Sequence, residues 1–377
     1  MTRKERLMNS ITGKPVDRPA VCFYELTGFD ENPDDPNPFN IYNHHSWRPL
    51  IALAAEHSDR IVRRPMCFRD DFGEVPADLR THEEYREENS ISFIDTIKAG
   101  ERTLSCRTRR DAEVNTVWTT AHLLHDEHDL DAYLALPLPP APTEPDIRAF
   151  IDAEEKLGDT GIVMADIPDP LCLAAQCFSM EDYTIIALTD QMRFRRLLDR
   201  FAAYLYPRVE LFSRALPGRL WRICGPEYAT PPYLPPALFH DYVKNYDTQI
   251  VRSIQSHGGY ARIHSHGKIR DVLPYIAETG CVGLDPIEPP NQGDVGLSWV
   301  RERYGSQFTL FGNIEASEIS LLPSDEFRIR VKEALREGTM GYGRGFVLMP
   351  SAIPYSRELP AHALENFRLM ITESQLI

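Results

Sequence analysis

Short apolar runs recur through the last two-thirds of the chain, and polar or glycine-containing turns separate them. The runs are GIVMAD (161–166), LWRICG (220–225), ARIHSH (261–266), CVGLDP (281–286), FTLFGN (308–313) and FVLMPS (346–351). Runs of this length, without regular alternation of apolar and polar positions, are typical of strands that are buried on both faces of a parallel sheet. The pattern therefore predicts a series of such strands.

The segments between these runs have the spacing of amphipathic helices. Within residues 181–215, apolar side chains recur at positions i, i+3, i+4 and i+7, as at Phe194, Leu197, Leu198 and Phe201. Further helices are predicted over 234–257, 269–279, 294–304, 324–336 and 361–372. Strands that alternate with helices in this way form a parallel sheet covered by helices.

The first part of the chain adds two strands and completes a set of eight. A charged helix is predicted over 3–12, a first strand over Pro19–Tyr24 and a further strand near Arg60–Arg64. Eight strand–helix units make up a closed (β/α)8 TIM-like barrel, which is the α/β fold that we predict. A doubly wound open sheet is the competing interpretation, and the absence of a G-x-G-x-x-G motif after the first strand disfavours it.

Residues 25–150 depart from the regular alternation. A hairpin is predicted over 101–124, where two β-type runs flank a polar turn. The segment 136–145 carries five prolines and is a rigid connector. We therefore predict one domain over residues 1–377, with an elaboration over 25–150 and regular β/α units over 161–377.

The composition restricts the partners that we expect. The 377 residues carry a formal net charge of −15, and an acidic surface disfavours nucleic acids and anionic membranes because phosphate binding needs clustered Lys and Arg. Seven scattered cysteines without a C-x-x-C pair suit a reducing compartment. No signal-peptide core or membrane-length apolar segment is present, so we expect a cytoplasmic protein with a small-molecule substrate, and a homodimer stays open.

Residues just after the strands converge on one end of a barrel, where barrel enzymes bind their substrates. His264 and His266 end one predicted strand, and their period-two spacing directs both side chains to the same face. Two such nitrogens with nearby carboxylates fit a zinc-like site; the alternative is a histidine that only forms a hydrogen bond inside the barrel. Glu227, after the preceding strand, is a third ligand, a general base, or a carboxylate at a helix start.

Other polar side chains at strand ends complete the candidate site. The candidate catalytic residues are Glu227, Asp166 and Tyr355, and the candidate substrate-binding residues are Tyr24, Tyr228, Asp285 and Asn313. The glycine-rich segment Gly341–Gly345 has one interpretation as a loop that holds phosphate. It precedes a strand instead of opening a helix, so a flexible turn is the favoured interpretation.

Four segments, in order along the chain, resemble the uroporphyrinogen decarboxylase superfamily. They are TRKERLMNSITGKPVDRPAV, ARIHSHGKIRDVLPYIAETGCVGLDPIEP, FTLFGNIEAS and FVLMPSAIPYSRELPAHALENF. True uroporphyrinogen decarboxylases carry an arginine-rich segment after the first strand, which grips the substrate carboxylates. Here that region is CFYELTGFDENPDD, without arginine. The chain is therefore more similar to the branch of methylcobalamin:coenzyme M methyltransferases and corrinoid-dependent O-demethylases.

The resemblance implies two cofactors. Members of this branch hold zinc through a His-x-Cys pair and a later Cys. His264 matches the family His, His266 stands in place of the first Cys, and MPSAIPYS offers no counterpart of the last Cys. Zinc or another divalent metal would then take a carboxylate as third ligand, Glu227 or else Asp285. The chain has no Asp-x-His-x-x-Gly signature, so a corrinoid would come from a separate partner protein.

The resemblance implies a methyltransferase, in which the metal would hold an acceptor thiol or polarise the oxygen of a methyl donor. Two alternatives stay open. A decarboxylase or lyase for a small carboxylated substrate would use Asp166 or Glu227 as proton donor and need no metal. A non-catalytic ligand-binding barrel is the third interpretation. The sequence does not identify the methyl donor or the acceptor.

Overall fold

The computed structural model describes all 377 residues and contains two β-sheets. The strands, numbered in chain order, are β1 (Ala20–Val21), β2 (Arg60–Pro65), β3 (Arg80–Arg86), β4 (Ser90–Ala99), β5 (Arg102–Asp111), β6 (Val117–Ala121), β7 (Gly161–Pro168), β8 (Leu220–Cys224), β9 (Tyr260–His264), β10 (Gly283–Asp285), β11 (Thr309–Ile314) and β12 (Phe346–Pro350). Eight strands pair in parallel in the order β1-β12-β11-β10-β9-β8-β7-β2. This sequential parallel order is the topology of a (β/α)8 barrel, so the predicted TIM-like fold is confirmed.

The barrel is closed between β1 and β2 by a side chain together with the main chain. The N–H of Asp59 donates to the carbonyl of Val21 at 2.6 Å, and the N–H of Val21 donates to the Asp59 carboxylate at 2.8 Å. The same buried carboxylate accepts from Arg6 at 2.6 Å and from Arg18 at 3.1 Å. The Asp59 side chain therefore accepts the hydrogen bond from Val21 that the main chain of a paired strand would otherwise accept.

Helices surround the barrel. They are α1 (Arg3–Thr12), α2 (Trp47–His57), α3 (Glu127–Leu134), α4 (Arg148–Leu157), α5 (Pro170–Gln176), α6 (Met180–Thr189), α7 (Gln191–Ala215), α8 (Pro236–Phe239), α9 (Asn245–Ser256), α10 (Leu273–Glu278), α11 (Leu297–Tyr304), α12 (Ala316–Leu321), α13 (Ser324–Thr339) and α14 (Ala363–Ser374). A π-helical turn at His240–Lys244 joins α8 to α9, within the single long helix predicted there. No single helix is long and apolar enough to cross a membrane; α5 and α6 reach that length together but are bent by 119°.

The barrel interior is layered along its axis. Side chains two positions apart on a strand share a face, so each inward position continues into the next layer. The layer at the amino-terminal ends is apolar and is covered by α1; it contains Leu7, Ile11, Ala20, Cys22, Ile61, Ile162, Met164, Leu220, Phe311, Val347 and Met349. Two positions further along β2, β7 and β8, the same face carries Arg63, Asp166 and Arg222. An apolar plug thus separates the charged mouth of the barrel from its closed end.

The second sheet lies within the elaborated part of the chain and is antiparallel, in the order β3-β4-β5-β6. Its β5–β6 pair forms the hairpin predicted over residues 101–124, with Arg110 opposite Val117. Strand β3 is exposed along its whole length, and its sequence RTHEEYR has no apolar face from which a strand could be predicted. The hairpin contacts the loop after β12, where the N–H of Asn115 donates to the carbonyl of Tyr355 at 2.8 Å.

Candidate active site

A chain of ion pairs crosses the barrel mouth from β2 to β8. Asp166 and Arg222 lie opposite each other in the register of β7 and β8, and the guanidinium donates to the carboxylate at 2.7 and 2.8 Å. Arg63 donates to Asp166 at 3.2 Å and lies 2.7 Å from Glu25. Burial raises the pKa of Asp166, but its bonds with Arg222 outweigh burial and hold the pKa below its ordinary value. Asp166 is therefore ionised at neutral pH, whereas a proton donor must be protonated.

Asp285 joins an arginine and a histidine of the neighbouring strand β9. Its fully buried carboxylate accepts from Nη2 of Arg262 at 2.7 Å and lies 2.7 Å from Nδ1 of His264. Burial raises the pKa of Asp285, but the charges of Arg262 and His264 outweigh burial and hold the pKa far below its ordinary value. An ionised carboxylate can only accept, so Nδ1 of His264 carries a proton, and a lone pair on this ring, when it has one, is on Nε2.

His266 forms a second imidazole–carboxylate pair. Its Nδ1 lies 2.7 Å from Oε1 of Glu288, whose other oxygen accepts from the N–H of Gly267 at 2.7 Å. Burial lowers the pKa of His266, but the hydrogen bond and the charge of Glu288 outweigh burial and raise the pKa. Ile287, beside Glu288, has a φ of 57°, which a β-branched side chain rarely adopts. The loop after β10 is therefore strained at Ile287, directly before Glu288, and such strain is common at functional sites.

The two imidazole rings are neighbours at the mouth. Their centroids are 4.6 Å apart and the rings are nearly perpendicular, at 87°. The ring of Tyr24 stacks on His264 with a centroid distance of 6.0 Å. Each ring uses its Nδ1 atom to bond a carboxylate, and neither Nε2 atom has a hydrogen-bond partner in the protein. The structure thus brings Tyr24, His264, His266 and Asp285 together at one end of the barrel.

A cavity of about 420 Å³ opens beside His266. Glu227, Tyr228 and Glu288 also line this cavity, and Lys268 adds a cation at its rim. The Glu227 carboxylate accepts a hydrogen bond at 3.1 Å from the N–H of Gly225, which anchors it to its own turn. Burial raises the pKa of Tyr228 to about 12, so its phenol stays protonated at neutral pH.

The mouth meets only part of what a metal ion requires. Each imidazole has Nδ1 on a carboxylate and Nε2 free, as in metal-binding histidines. A catalytic zinc-type site also needs a third protein ligand. No group of three or more His, Cys, Asp or Glu side chains is arranged to hold a metal ion, and Glu227 does not complete one with His264 and His266. The donor set of these side chains therefore does not fit a zinc-type ion.

Glu315, after β11, is the weak acid of the mouth. Its Oε1 atom is buried without a hydrogen-bond partner, and its Oε2 atom lies 3.4 Å from the hydroxyl of Ser351. Burial, followed by the nearby carboxylates of Glu288 and Glu318, raises the pKa of Glu315 to about 7. A carboxyl group with this pKa is partly protonated at neutral pH and can transfer a proton in either direction.

Two predicted site residues make their contacts elsewhere. The side-chain oxygen of Asn313 accepts from Arg330 at 3.1 Å, so Asn313 holds α13 against the barrel. The side chain of Tyr355 is 61% exposed, and only its main-chain carbonyl is bonded, to Asn115. Through these contacts Asn313 positions α13, and the side chain of Tyr355 lies at the surface.

Sequence reasoning missed the arginines that organise the mouth. They are Arg63, Arg222 and Arg262. Arg222 and Arg262 lie inside the apolar runs LWRIC and YARIH, each two positions before the last residue of its strand. Side chains two positions apart on a strand share a face, so the sequence predicts that Arg262 points inward on the same face as His264. The signal is a charged residue inside an apolar strand, which requires a buried partner.

Two buried acids without a counter-charge lie behind the mouth. Asp169 caps α5 by accepting from the N–H of Cys172. Its Oδ2 atom and both carboxylate oxygens of Asp247 are buried without a hydrogen-bond partner. Burial and then Asp247 raise the pKa of Asp169, and burial and then Glu227 raise the pKa of Asp247, both well above the ordinary value. Burial therefore favours the neutral form of both carboxyl groups.

Fold and mouth together define a class of protein: a parallel (β/α)8 barrel with histidines and carboxylates at the carboxyl ends of its strands, where barrel enzymes carry their active sites. The chain belongs to the uroporphyrinogen decarboxylase (URO-D) family, whose model matches residues 153–373. The matched region contains the six strands from β7 to β12. The predicted family is therefore confirmed.

A solved structure shares this fold over the whole chain. A methyltransferase from Methanosarcina mazei matches with a TM-score of 0.61 and 17% identity, over 100% of this chain and 99% of that chain. A D-psicose 3-epimerase matches with a TM-score of 0.34 and 11% identity over 61% and 80% of the two chains, and an L-ribulose 3-epimerase with 0.37 and 13% over 66% and 87%. No curated protein matches the sequence. The methyltransferase likeness establishes the fold.

Proposed function

We propose that the protein is a methyltransferase-like enzyme that acts on a small molecule at the barrel mouth. The observation that carries the proposal is the pair of imidazole–carboxylate contacts, His264 with Asp285 and His266 with Glu288, whose free Nε2 atoms lie on neighbouring rings. The fold shared with a methyltransferase over the whole chain also supports it.

His264 is the general base of the proposed reaction. A thiol or hydroxyl becomes an effective nucleophile when it loses its proton. The proton passes from the acceptor to Nε2 of His264, the acceptor bonds to the methyl carbon, and the bond between methyl group and donor breaks with its electron pair left on the donor. Asp285 stabilises the imidazolium that forms, and Arg262 keeps Asp285 ionised.

His266 supplies positive charge next to this base. Its raised pKa, set by Glu288 against burial, favours the imidazolium form. A cation beside the developing thiolate or alkoxide lowers the energy of the charge that forms there. The cavity of about 420 Å³ beside His266 is the place for the acceptor, and it lies within the roughly 300–1,000 Å³ of small-molecule sites.

The other reaction partner in this proposal is a corrinoid carried by a separate protein, which supplies or takes up the methyl group. The support is the resemblance of the strand segments to corrinoid-dependent methyltransferases, together with the absence of an Asp-x-His-x-x-Gly signature in this chain. The residues of the mouth then bind and deprotonate the small substrate.

The test is a methyl-transfer assay with methylcobalamin and a panel of small thiols, followed by the loss of methylcobalamin absorbance. His264→Gln should lower the rate by about 10²–10⁴-fold, the usual contribution of a general base. His82→Gln is the matched control, because His82 pairs with Asp95 on the exposed sheet, and it should leave the rate unchanged. A rate that does not respond to His264→Gln would exclude the proposed role of this base.

Decarboxylation of a small acid is a second candidate, and the half-buried Glu315 favours it because its pKa is about 7. In that reaction the bond to the carboxylate breaks, CO2 leaves, and the remaining carbon takes a proton from Glu315. Release of CO2 that is lost in Glu315→Gln and kept in His264→Gln, without any methyl transfer, would select this candidate over the first.

A further inference from the structure

A second pocket lies at the closed end of the barrel, on the side opposite the mouth. The turn that leads from α1 into β1 and the loop that leads from α13 into β12 form its walls, and its volume is about 270 Å³. Its charged lining residues are Lys14, Asp17, Arg18, Arg301 and Arg344. Strand β12 separates it from Ser351 at the mouth by five residues, which is about 17 Å at ~3.3 Å per residue.

Arg301, on α11, is a buried cation with no carboxylate partner. The residue is 6% exposed. Its Nε atom donates to the carbonyl of Met340 at 3.0 Å, and its Nη1 atom donates to the carbonyl of Arg344. These partners are neutral, and burial lowers the pKa of Arg301 without any opposing charge. Its Nη2 atom has no protein partner and is not sealed from solvent, so it can donate into the pocket.

Arg344 adds a second guanidinium without a carboxylate partner to the pocket lining. Its Nη2 atom donates to the carbonyl of Ile11, and its Nε atom is buried without a partner. Gly343 precedes Arg344 in this loop and lies against Arg301 of α11: a Cβ there would be 3.0 Å from Cζ of Arg301 and 2.5 Å from the carbonyl oxygen of Gly305. The glycine thus allows the loop to pack directly on the Arg301 guanidinium.

The remaining side-chain charges leave the pocket positive; Ile377 also lines it. Asp17 accepts from Arg6 at 2.7 and 2.8 Å, and Arg18 donates to Asp59 at 3.1 Å, so these charges are matched outside the pocket. Lys14 is exposed and forms no ion pair. The main-chain N–H of Gly343 also has no acceptor. Three unmatched cations around one pocket are a notable concentration in a chain whose net charge is −15.

We propose that this pocket binds the phosphate group of a small molecule. Two guanidiniums, an ammonium and a free main-chain N–H supply the donors and the charge that a phosphate dianion needs. The pocket volume of about 270 Å³ corresponds to roughly nine water volumes of ~30 Å³, enough for a diphosphate. In this proposal the segment Gly341–Gly345 is a phosphate-binding loop instead of a flexible turn. Arginine side chains supply the positive charge that a helix N-terminus supplies in other phosphate-binding loops. The proposed function at the mouth does not depend on this site.

The test is binding of phosphate, pyrophosphate and adenosine diphosphate to the full chain by isothermal titration calorimetry, in about 0.15 M NaCl so that diffuse surface attraction is screened. Saturable binding at one site is expected. Adenosine diphosphate binding more tightly than pyrophosphate would identify a nucleotide as the source of the phosphate, and equal affinity would identify a free diphosphate. Both outcomes support the site.

Substitutions of lining residues test whether the anion binds in this pocket. Lys14→Gln and Arg344→Gln should each weaken it by about tenfold, the loss of one charge-assisted hydrogen bond. Arg336→Gln is the matched control, because Arg336 is an exposed arginine of α13 outside the pocket, and it should bind like the native protein. The proposal is overturned if none of the three anions binds saturably, or if binding survives in the Lys14→Gln/Arg344→Gln double variant while thermal melting shows that the fold is intact.

Discussion

Asp285 accepts a hydrogen bond at 2.7 Å from Nδ1 of His264 while the same carboxylate neutralises the buried Arg262. One side chain thus orients the proposed base and compensates a structural charge. The two roles can be measured separately: the orientation of His264 affects the reaction rate, and the compensation of the Arg262 charge affects the free energy of unfolding. Substitutions can therefore separate them.

Asp285→Asn should destabilise the protein by about 3–5 kcal/mol, because it leaves the guanidinium of Arg262 buried without a counter-charge. The Arg262 side chain is 2% exposed and that of Asp285 is fully buried. Chemical denaturation at pH 7 measures the change. Glu288→Gln is the comparison, since its partner His266 is 37% exposed on its side chain and tolerates the loss better. Equal losses in both variants would contradict this role for Asp285.

The Asp285 contribution should also depend on pH. The folded protein lowers the pKa of this carboxyl, so the stabilisation is complete above the ordinary value of about 4 and disappears as the pH falls below it. The difference in unfolding free energy between the native protein and Asp285→Asn should therefore shrink between about pH 4 and pH 2. A difference that stays constant over this range would exclude the linkage.

Glu315 should give the enzyme an alkaline limit. Its pKa is raised to about 7, so the protonated form is lost above that pH. If the reaction uses this acid, the rate falls by about tenfold per pH unit on the alkaline side, and Glu315→Gln gives a low, flat profile. Glu318→Gln removes one of the carboxylates that raise this pKa, so it should move the limit to lower pH. A limit that does not move in Glu318→Gln would assign the titration to another group.

Asp247→Asn should stabilise the protein at neutral pH. The fold raises the pKa of Asp247, so the native state favours the protonated form, and stability is lost as the pH rises from about 4 towards the folded pKa. The amide keeps the shape without the ionisable proton, and we expect a gain in the free energy of unfolding at pH 8 and none near pH 4. Asp241→Asn is the surface control, because Asp241 pairs with Arg195. A loss of stability in Asp247→Asn at pH 8 would show that Asp247 is ionised in the fold.

The protein should not convert uroporphyrinogen to coproporphyrinogen. No arginine lies in the segment after β1, and the arginines inside the mouth are already paired: Arg63 with Glu25, Arg222 with Asp166 and Arg262 with Asp285. A multiply carboxylated macrocycle would therefore meet no free guanidinium in this ring of pairs. Chromatographic analysis of porphyrins after incubation measures the product, and any enzyme-dependent coproporphyrinogen would refute the expectation.

The barrel could be predicted because its strands are buried on both faces. The predicted runs at 161–166, 220–225 and 346–351 lie within two residues of β7, β8 and β12. Strand β3 could not be predicted in this way, because its exposed residues leave no apolar pattern. Periodicity reports burial, and β3 is held without burial by its hydrogen bonds to the adjacent strand β4.

The site was harder to predict than the fold. Period-two spacing placed His264 and His266 near each other, and their rings are 4.6 Å apart. The pairing of Asp285 with Arg262, and of Asp166 with Arg222, depends on the register between strands, which a single sequence does not contain. For this reason, carboxylates that were predicted to bind substrate or donate protons are ion-paired.

The closure of the barrel through Asp59 has a consequence for the order in which a nascent chain acquires its structure. Strand β1 is synthesised early, yet its ladder partner β12 comes almost at the end of the chain. The contacts of the Asp59 carboxylate with Val21, Arg6 and Arg18 involve only residues 6–59. The β1–β2 side of the ring is therefore built from the first sixth of the sequence, whereas its β1–β12 side needs both ends of the chain.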